Sequence, residues 1–272
     1  MIVSEKIREI RQNGYCVLKA HLPKPTVNAC KEAFWPILLE YVQDHGAEAN
    51  RGPCRHFLPM PFHRPCFAPE FFFDTTILDV IYGAIGSRVV ADQWGCDIPL
   101  RGSEYQRFHP DYQRPLFEEV PDLSLPPYML VVSFGLIDIS ADHGPIEIAT
   151  GTHRMAREEA MQAVQSGDCD VHPVLLEIGD VLVRHPWTLH RGTPNITATP
   201  RPLTTVRYVW RWYADERARS MQSRGPFGNR SPRTKRPSCG FRSPHEFSFD
   251  RSPVAGIHFD AQKAASLTAL NP

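Results

Sequence analysis

Residues 179–212 read GDVLVRHPWTLHRGTPNITATPRPLTTVRYVWRW. Gly179-Asp180 marks a tight turn between two apolar runs, 171–178 and 181–183. A further run, 204–212, is rich in Thr, Val, Tyr and Trp, residues that suit a half-buried pleated strand. Upstream, 88–91, 128–136 and 146–148 are short apolar runs of the same kind, separated by turn signals. Many β-rich runs at modest spacing point to a mainly β sandwich or barrel and away from a doubly wound α/β sheet. One helical insert is expected over 155–165.

The first third has another character. Residues 1–45 read as helical, broken by a turn at Asn13-Gly14 and a short strand Tyr15-Cys16-Val17-Leu18. Pro25-Thr26 can open a second helix, in which Val27, Cys30, Phe34, Ile37, Leu38 and Tyr41 recur at helical spacing. The stretch 50–73 is crowded with Pro, Phe, Arg and His and reads as an irregular, partly buried loop. A further helix is expected over 75–85, ended by Gly86. Residues 215–250 are polar and rich in Arg, Ser, Pro and Gly, and read as a long loop or tail.

Within this frame, His109-Pro110-Asp111 sets an imidazole and a carboxylate two residues apart. On an extended segment both point to the same face, so one short stretch can offer a metal a nitrogen and an oxygen. Alone the tripeptide also fits an ordinary proline turn. His190 would complete two histidines and one carboxylate, a set that caps one face of an octahedron and leaves three positions open. Arg201, eleven residues further on, could clamp the far carboxylate of a keto diacid with its planar fork. His185 is the rival to His190, and is assigned to packing or to a hydrogen bond behind the ligands. Trp94, Arg101, Tyr105, Tyr128 and Trp187 flank these segments and could line a pocket; core packing is an equal reading for each. His56 and His63 are read as structural or solvated, and His143 as a turn residue.

Five segments in this order resemble the phytanoyl-CoA dioxygenase family of iron(II)/2-oxoglutarate oxygenases. They are Gln106-Arg107-Phe108-His109-Pro110-Asp111, the stretch 144–154 (GPIEIATGTHR), Gly179-Asp180, His190-Arg191-Gly192-Thr193-Pro194-Asn195, and Arg201. The resemblance covers roughly residues 90–212. It implies a double-stranded β-helix (jelly-roll, cupin-like) core with flanking N-terminal helices. It implies one domain over 1–272: a helical part to about 86, a core over about 87–212 and a variable segment over 213–272. It also implies iron(II) on His109, Asp111 and His190, and 2-oxoglutarate on Arg201, with Gln106 as a further contact. Gly192 stands where some members carry a Ser that holds the co-substrate, so that contact is expected to be missing or moved to Thr193. Phe134 falls where some carry a Trp beside the co-substrate.

The expected reaction is hydroxylation of a small organic substrate, or a related C–H oxidation such as demethylation, desaturation or ring closure. It consumes dioxygen, releases succinate and carbon dioxide, and is assayed with ascorbate as reductant. The competing readings are a non-catalytic metal-binding jelly roll and a zinc hydrolase. The 30 Lys and Arg balance 30 Asp and Glu, so no global field draws nucleic acid or an anionic membrane. The Arg-rich stretch 217–236 lacks the aromatic pattern of a nucleic-acid module. No apolar run is long enough for a bilayer, and the N-terminus lacks the apolar core of a secretory signal. Seven irregularly spaced cysteines without a CxxC pair read as reduced thiols, which suits a cytoplasmic protein.

Overall fold

A computed structural model describes residues 2–46, 50–112, 125–214 and 259–260. The chain opens with helix α1 (Ile2–Asn13), strand β1 (Tyr15–Leu18) and helix α2 (Lys24–His45). Pro25 sits in the first turn of α2, where its missing N–H costs nothing. Val27, Cys30, Phe34 and Leu38 form its buried stripe. The segment 50–73 is more regular than its composition suggests. It contains strand β2 (Arg55–Pro59) and the short helix α3 (Pro69–Phe72). Helix α4 (Thr75–Ile85) starts where the Asp74 carboxylate accepts the Ile77 N–H at 2.9 Å, and Gly86 ends it at φ 87°.

Eight more strands follow: β3 (Val89–Pro99), β4 (Met129–Gly135), β5 (Ile146–Ala149), β6 (Val171–Val174), β7 (Val181–Arg184), β8 (His190–Gly192), β9 (Leu203–Trp210) and β10 (Phe259–Asp260). Helix α5 (Arg157–Ser166) is the insert between β5 and β6. All pairings between these strands are antiparallel. The large sheet runs β1-β7-β4-β9-β3-β10 with β2 also on β3, and the small sheet runs β6-β5-β8. Two facing antiparallel sheets of this kind make a jelly roll, with the helices outside the large sheet.

Strand alternation divides the large sheet into two faces. Leu130, Val132, Phe134, Val183, Val206 and Tyr208 join the helices in the main core. Leu182 and Leu203 face the other way and meet Ile146 and Ile148 of the small sheet. Functional side chains on the large sheet therefore have to come from this inner face. Asp180 ties the sheet to the N-terminal part: its carboxylate accepts Ala20 N–H at 2.8 Å and Lys19 Nζ at 2.5 Å. No described helix is long and apolar enough to cross a membrane. The basic stretch 217–236 lies outside the described residues.

Candidate active site

The segment 106–109 runs antiparallel beside β8 and extends the small sheet. Gln106 N–H donates to Gly192 O at 3.0 Å. His109 and His190 exchange both backbone hydrogen bonds, at 3.0 and 3.1 Å. This register brings two histidines 81 positions apart in the chain to ring centroids 4.6 Å apart. Two residues on, Asp111 N–H donates to Pro186 O at 2.8 Å, which turns its carboxylate toward the same point. Asp111 Oδ1 lies 3.5 Å from His190 Nε2.

Both imidazoles are anchored through Nδ1. His109 Nδ1 lies 2.7 Å from the Arg107 carbonyl, and His190 Nδ1 lies 2.9 Å from the Thr188 carbonyl. A carbonyl can only accept, so His109 Nδ1 carries the proton and its Nε2 keeps its lone pair; His190 Nδ1 also stands 3.1 Å from Arg184 Nη1, which can only donate, so there the guanidinium competes with the Thr188 carbonyl. Burial lowers the pKa of both rings, and the Arg184 cation lowers it further, so both stay neutral. Burial alone would raise Asp111. Arg184 and His190 outweigh that and hold its carboxyl down to about 2. Two neutral imidazoles and one ionised carboxylate are the donor chemistry an iron(II) site needs. Among the described residues no three such side chains close around one point, and Asp111 leans instead on Arg184, Nη1 to Oδ2 at 2.8 Å. That contact leaves Oδ1 as the oxygen facing His190.

His185 is placed elsewhere. Its ring lies tilted against His153 at 5.0 Å and Trp187 at 5.1 Å, and its Nδ1 accepts the Trp187 backbone N–H. His153 gives Nε2–H to Arg11 O. Gly14, at φ 86°, packs so closely that a Cβ would stand 2.7 Å from His153 Nδ1 and 2.2 Å from Thr188 Oγ1. Burial pushes His153 down to about 4, aided by Arg154. It pushes His185 down to about 3, aided by His153 and Arg184. The unfolded chain protonates both near pH 6.5, and the folded chain does not until far lower. Stability is therefore expected to fall as pH drops through 6.5 and to keep falling toward pH 3–4, by several kcal/mol. Urea unfolding between pH 7 and 5 checks this, and a flat midpoint would contradict it.

Arg201 is 1% exposed and lies just ahead of β9. Its Nε and Nη2 donate to the Gly144 carbonyl at 3.1 and 2.9 Å, and its Nη2 stands 3.4 Å from Asp97 Oδ2. Burial lowers its pKa to about 10, against the opposing pull of Asp97, so it stays charged at neutral pH. A second buried cation shares Asp97. Arg55 on β2, also 1% exposed, reaches the same Oδ2 at 3.2 Å and donates to Thr193 O at 2.9 Å. Sequence reading missed Arg55, because it placed 50–73 in a loop. Two arginines and one carboxylate leave a net positive charge in the barrel, which suits an anion.

Residues 10–203 match the sequence profile of phytanoyl-CoA dioxygenase. The chain belongs to the phytanoyl-CoA dioxygenase family. It is thereby an iron(II)/2-oxoglutarate-dependent oxygenase. Solved structures share the fold. The non-heme α-ketoglutarate-dependent carbocyclase SnoK of nogalamycin biosynthesis aligns with a TM-score of 0.57 at 18% identity, over 75% of this chain and 83% of SnoK. EctD from S. alaskensis with bound Fe gives 0.57 at 18%, over 76% of each chain. HygX from Streptomyces hygroscopicus, with nickel, 2-oxoglutarate and hygromycin B bound, gives 0.56 at 19%, over 76% of this chain and 87% of HygX.

Three residues that the family pattern placed on the co-substrate stand otherwise here. Phe134 points to the helix side of β4, with its ring 4.7 Å from Phe71 and 6.1 Å from Trp94. Pleating sends residue 134 to the face opposite Ser133, so it cannot line the barrel. Thr193 spends its hydroxyl proton on Pro145 O at 2.8 Å, which leaves only lone pairs to offer a carboxylate. Gln106 Oε1 accepts the Gly192 N–H at 2.9 Å, so its carboxamide mainly straps the segment to β8. Of the flanking aromatics, Trp94 is core, Tyr105 lies outside against Arg191, and Tyr128 and Trp187 meet beyond the candidate ligands.

Gly192 has a specific reason here. A Cβ at that position would stand 2.4 Å from Arg55 Nη1, so glycine makes room for the buried guanidinium. Gly192→Ser is expected to displace Arg55 and leave Thr193 O unpaired, at about 1–3 kcal/mol. Thermal unfolding should show a fall of several degrees. An unchanged midpoint would mean that Arg55 moves without cost.

Proposed function

We propose that this chain uses iron(II), 2-oxoglutarate and dioxygen to oxidise a C–H bond of a small organic molecule of secondary metabolism, with succinate and carbon dioxide as co-products. In this reading His109, Asp111 and His190 hold the metal, and Arg201, joined by Arg55, holds the far carboxylate of the co-substrate. The observation that carries it is the mutual backbone pair between His109 and His190, which sets an imidazole–x–carboxylate segment against a third donor. Bound iron supplies open positions for a keto acid and dioxygen and the oxidising power for C–H cleavage.

The remaining work falls to the chain. The carbonyls of Arg107 and Thr188 keep both Nε2 atoms aimed inward. Arg184 occupies one oxygen of Asp111, so the carboxylate offers the other. The Gly144 carbonyl orients Arg201 ahead of any ligand. Which of hydroxylation, demethylation, desaturation or ring closure follows depends on how the substrate is held. Relatives described with hygromycin B or from nogalamycin biosynthesis support a small-molecule substrate. A zinc hydrolase gives no task to two buried arginines facing a barrel interior.

The test is succinate release from 2-oxoglutarate by purified protein with iron(II), ascorbate and air, together with calorimetry of 2-oxoglutarate on the manganese(II) protein. Metal-dependent binding, with or without substrate-free turnover, supports the oxygenase. Absence of both would return the metal-binding and hydrolase readings.

A further inference from the structure

The small sheet has a second face. Side chains alternate along β8, so Arg191 points away from His190 and Gly192, which look into the barrel. On this outer face the segment 105–108 and helix α5 flank an open groove of about 450 Å³. Small-molecule sites commonly measure about 300–1,000 Å³. Phe108 and, one turn apart on α5, Met161 and Val164 give the groove an apolar lining. The same three side chains pack from behind on Ala149, Ala160 and Leu189, which holds the lining in place.

The lining holds two cations and no carboxylate. Arg191 is already engaged. Its Nε donates to Glu147 Oε2 at 2.6 Å across the β5–β8 pair, and its Cζ lies 4.4 and 4.5 Å from the ring centroids of Tyr105 and Phe108. Arg107 differs: it is exposed and makes no ion pair or side-chain hydrogen bond among the described residues. The Tyr105 hydroxyl and the Gln165 carboxamide, both on the groove, also have no hydrogen-bond partner among them. The groove thus joins an apolar lining to one uncompensated positive charge and two neutral hydrogen-bonding groups. A neutral apolar guest would leave Arg107 without a counter-charge, and a cationic guest would be repelled. A polyanion would find one free cation where it needs several.

We propose that this groove is a second ligand site, across the small sheet from the candidate metal ligands, for an amphipathic monoanion. The apolar body lies on Phe108, Met161 and Val164, and the carboxylate pairs with Arg107. Met161 suits this task, because an unbranched thioether adapts to apolar bodies of different shape. The assignment stands apart from the iron chemistry and uses none of the candidate metal or co-substrate side chains.

The probes are octanoate, octan-1-ol and octylammonium, which share a chain and differ in charge. Each is titrated into full-length protein in the presence of zinc(II) and 2-oxoglutarate, which occupy the barrel site and keep the sample diamagnetic. The chain has six methionines, so carbon-13 methyl labelling gives few NMR signals, and Met161→Leu identifies that of Met161. Octanoate is expected to move the Met161 signal and to bind at least about tenfold tighter than octan-1-ol, the worth of one charge-assisted hydrogen bond. Octylammonium is expected to bind weakest. Arg107→Gln should bring octanoate to the level of octan-1-ol while the labelled spectrum otherwise keeps its folded dispersion. A still Met161 signal, equal binding of the three probes, or an Arg107→Gln protein that binds octanoate as before would overturn the proposal. So would a dimer in light scattering that Met161→Asp dissociates, since a second copy of the chain would then cover the groove. Each of these outcomes leaves the oxygenase reading untouched.

Discussion

Asp111→Ala is expected to cut 2-oxoglutarate turnover by at least about a thousandfold, since groups that merely support a ligand are commonly worth about 10–100-fold. The loss has two parts. One donor disappears, and the Arg184 guanidinium, 2.8 Å from Oδ2 in the intact protein, is left as an uncompensated cation beside the metal position. Metal content by elemental analysis should therefore fall with activity. The unpaired Arg184, with only 7% of its side chain exposed, should also destabilise the fold by a part of the roughly 3–5 kcal/mol that stranding a buried charge costs. The double variant Asp111→Ala/Arg184→Met separates these parts: it is expected to recover stability and still bind no iron. If the single variant keeps its metal and turnover, or if His185→Ala loses iron while His190→Ala keeps it, the ligand assignment is wrong.

What the sequence showed, and what it hid, follows from how far each signal reaches. Helix α4 was legible because its apolar run and its Gly86 stop are local, whereas its Asp74 cap emerged only in the structure. The runs that became β4, β7 and β9 were legible because they are continuous apolar stretches. Strand β2 was not, since its residues Arg55 and His56 are polar yet 1% and 0% exposed, which inverts the hydropathy code. Strand β8 was hidden by its brevity: His190, Arg191 and Gly192 hold no apolar residue at all. The partnership of Arg55 with Thr193 spans 138 positions, and no local pattern announces it. Phe134 failed for a geometric reason. A family position fixes where a residue falls in the chain, and only the pleat decides which face it enters.

Arg201→Ala is expected to weaken 2-oxoglutarate binding to the manganese(II) protein by about a hundredfold or more, the scale of a charge-assisted fork lost from a buried site. Arg201→Lys should recover part of it, because an ammonium keeps the charge and loses the planar pair. Arg55 makes the sharper comparison. Both arginines lean on one oxygen of Asp97 at 3.2 and 3.4 Å, longer than a strong ion pair, whereas Gly144 O holds Arg201 at 2.9 and 3.1 Å. Asp97 is thus a weakly held counter-charge, and its side chain is 29% exposed. An arriving carboxylate competes with it for the same two cations. Asp97→Asn should accordingly tighten 2-oxoglutarate, and Arg55→Met should loosen it, with the effect of each reduced once Arg201 is gone. Calorimetry across this set reads the coupling directly. If Arg55→Met changes stability but not 2-oxoglutarate affinity, Arg55 is a strut beneath Thr193 and Arg201 holds the co-substrate alone.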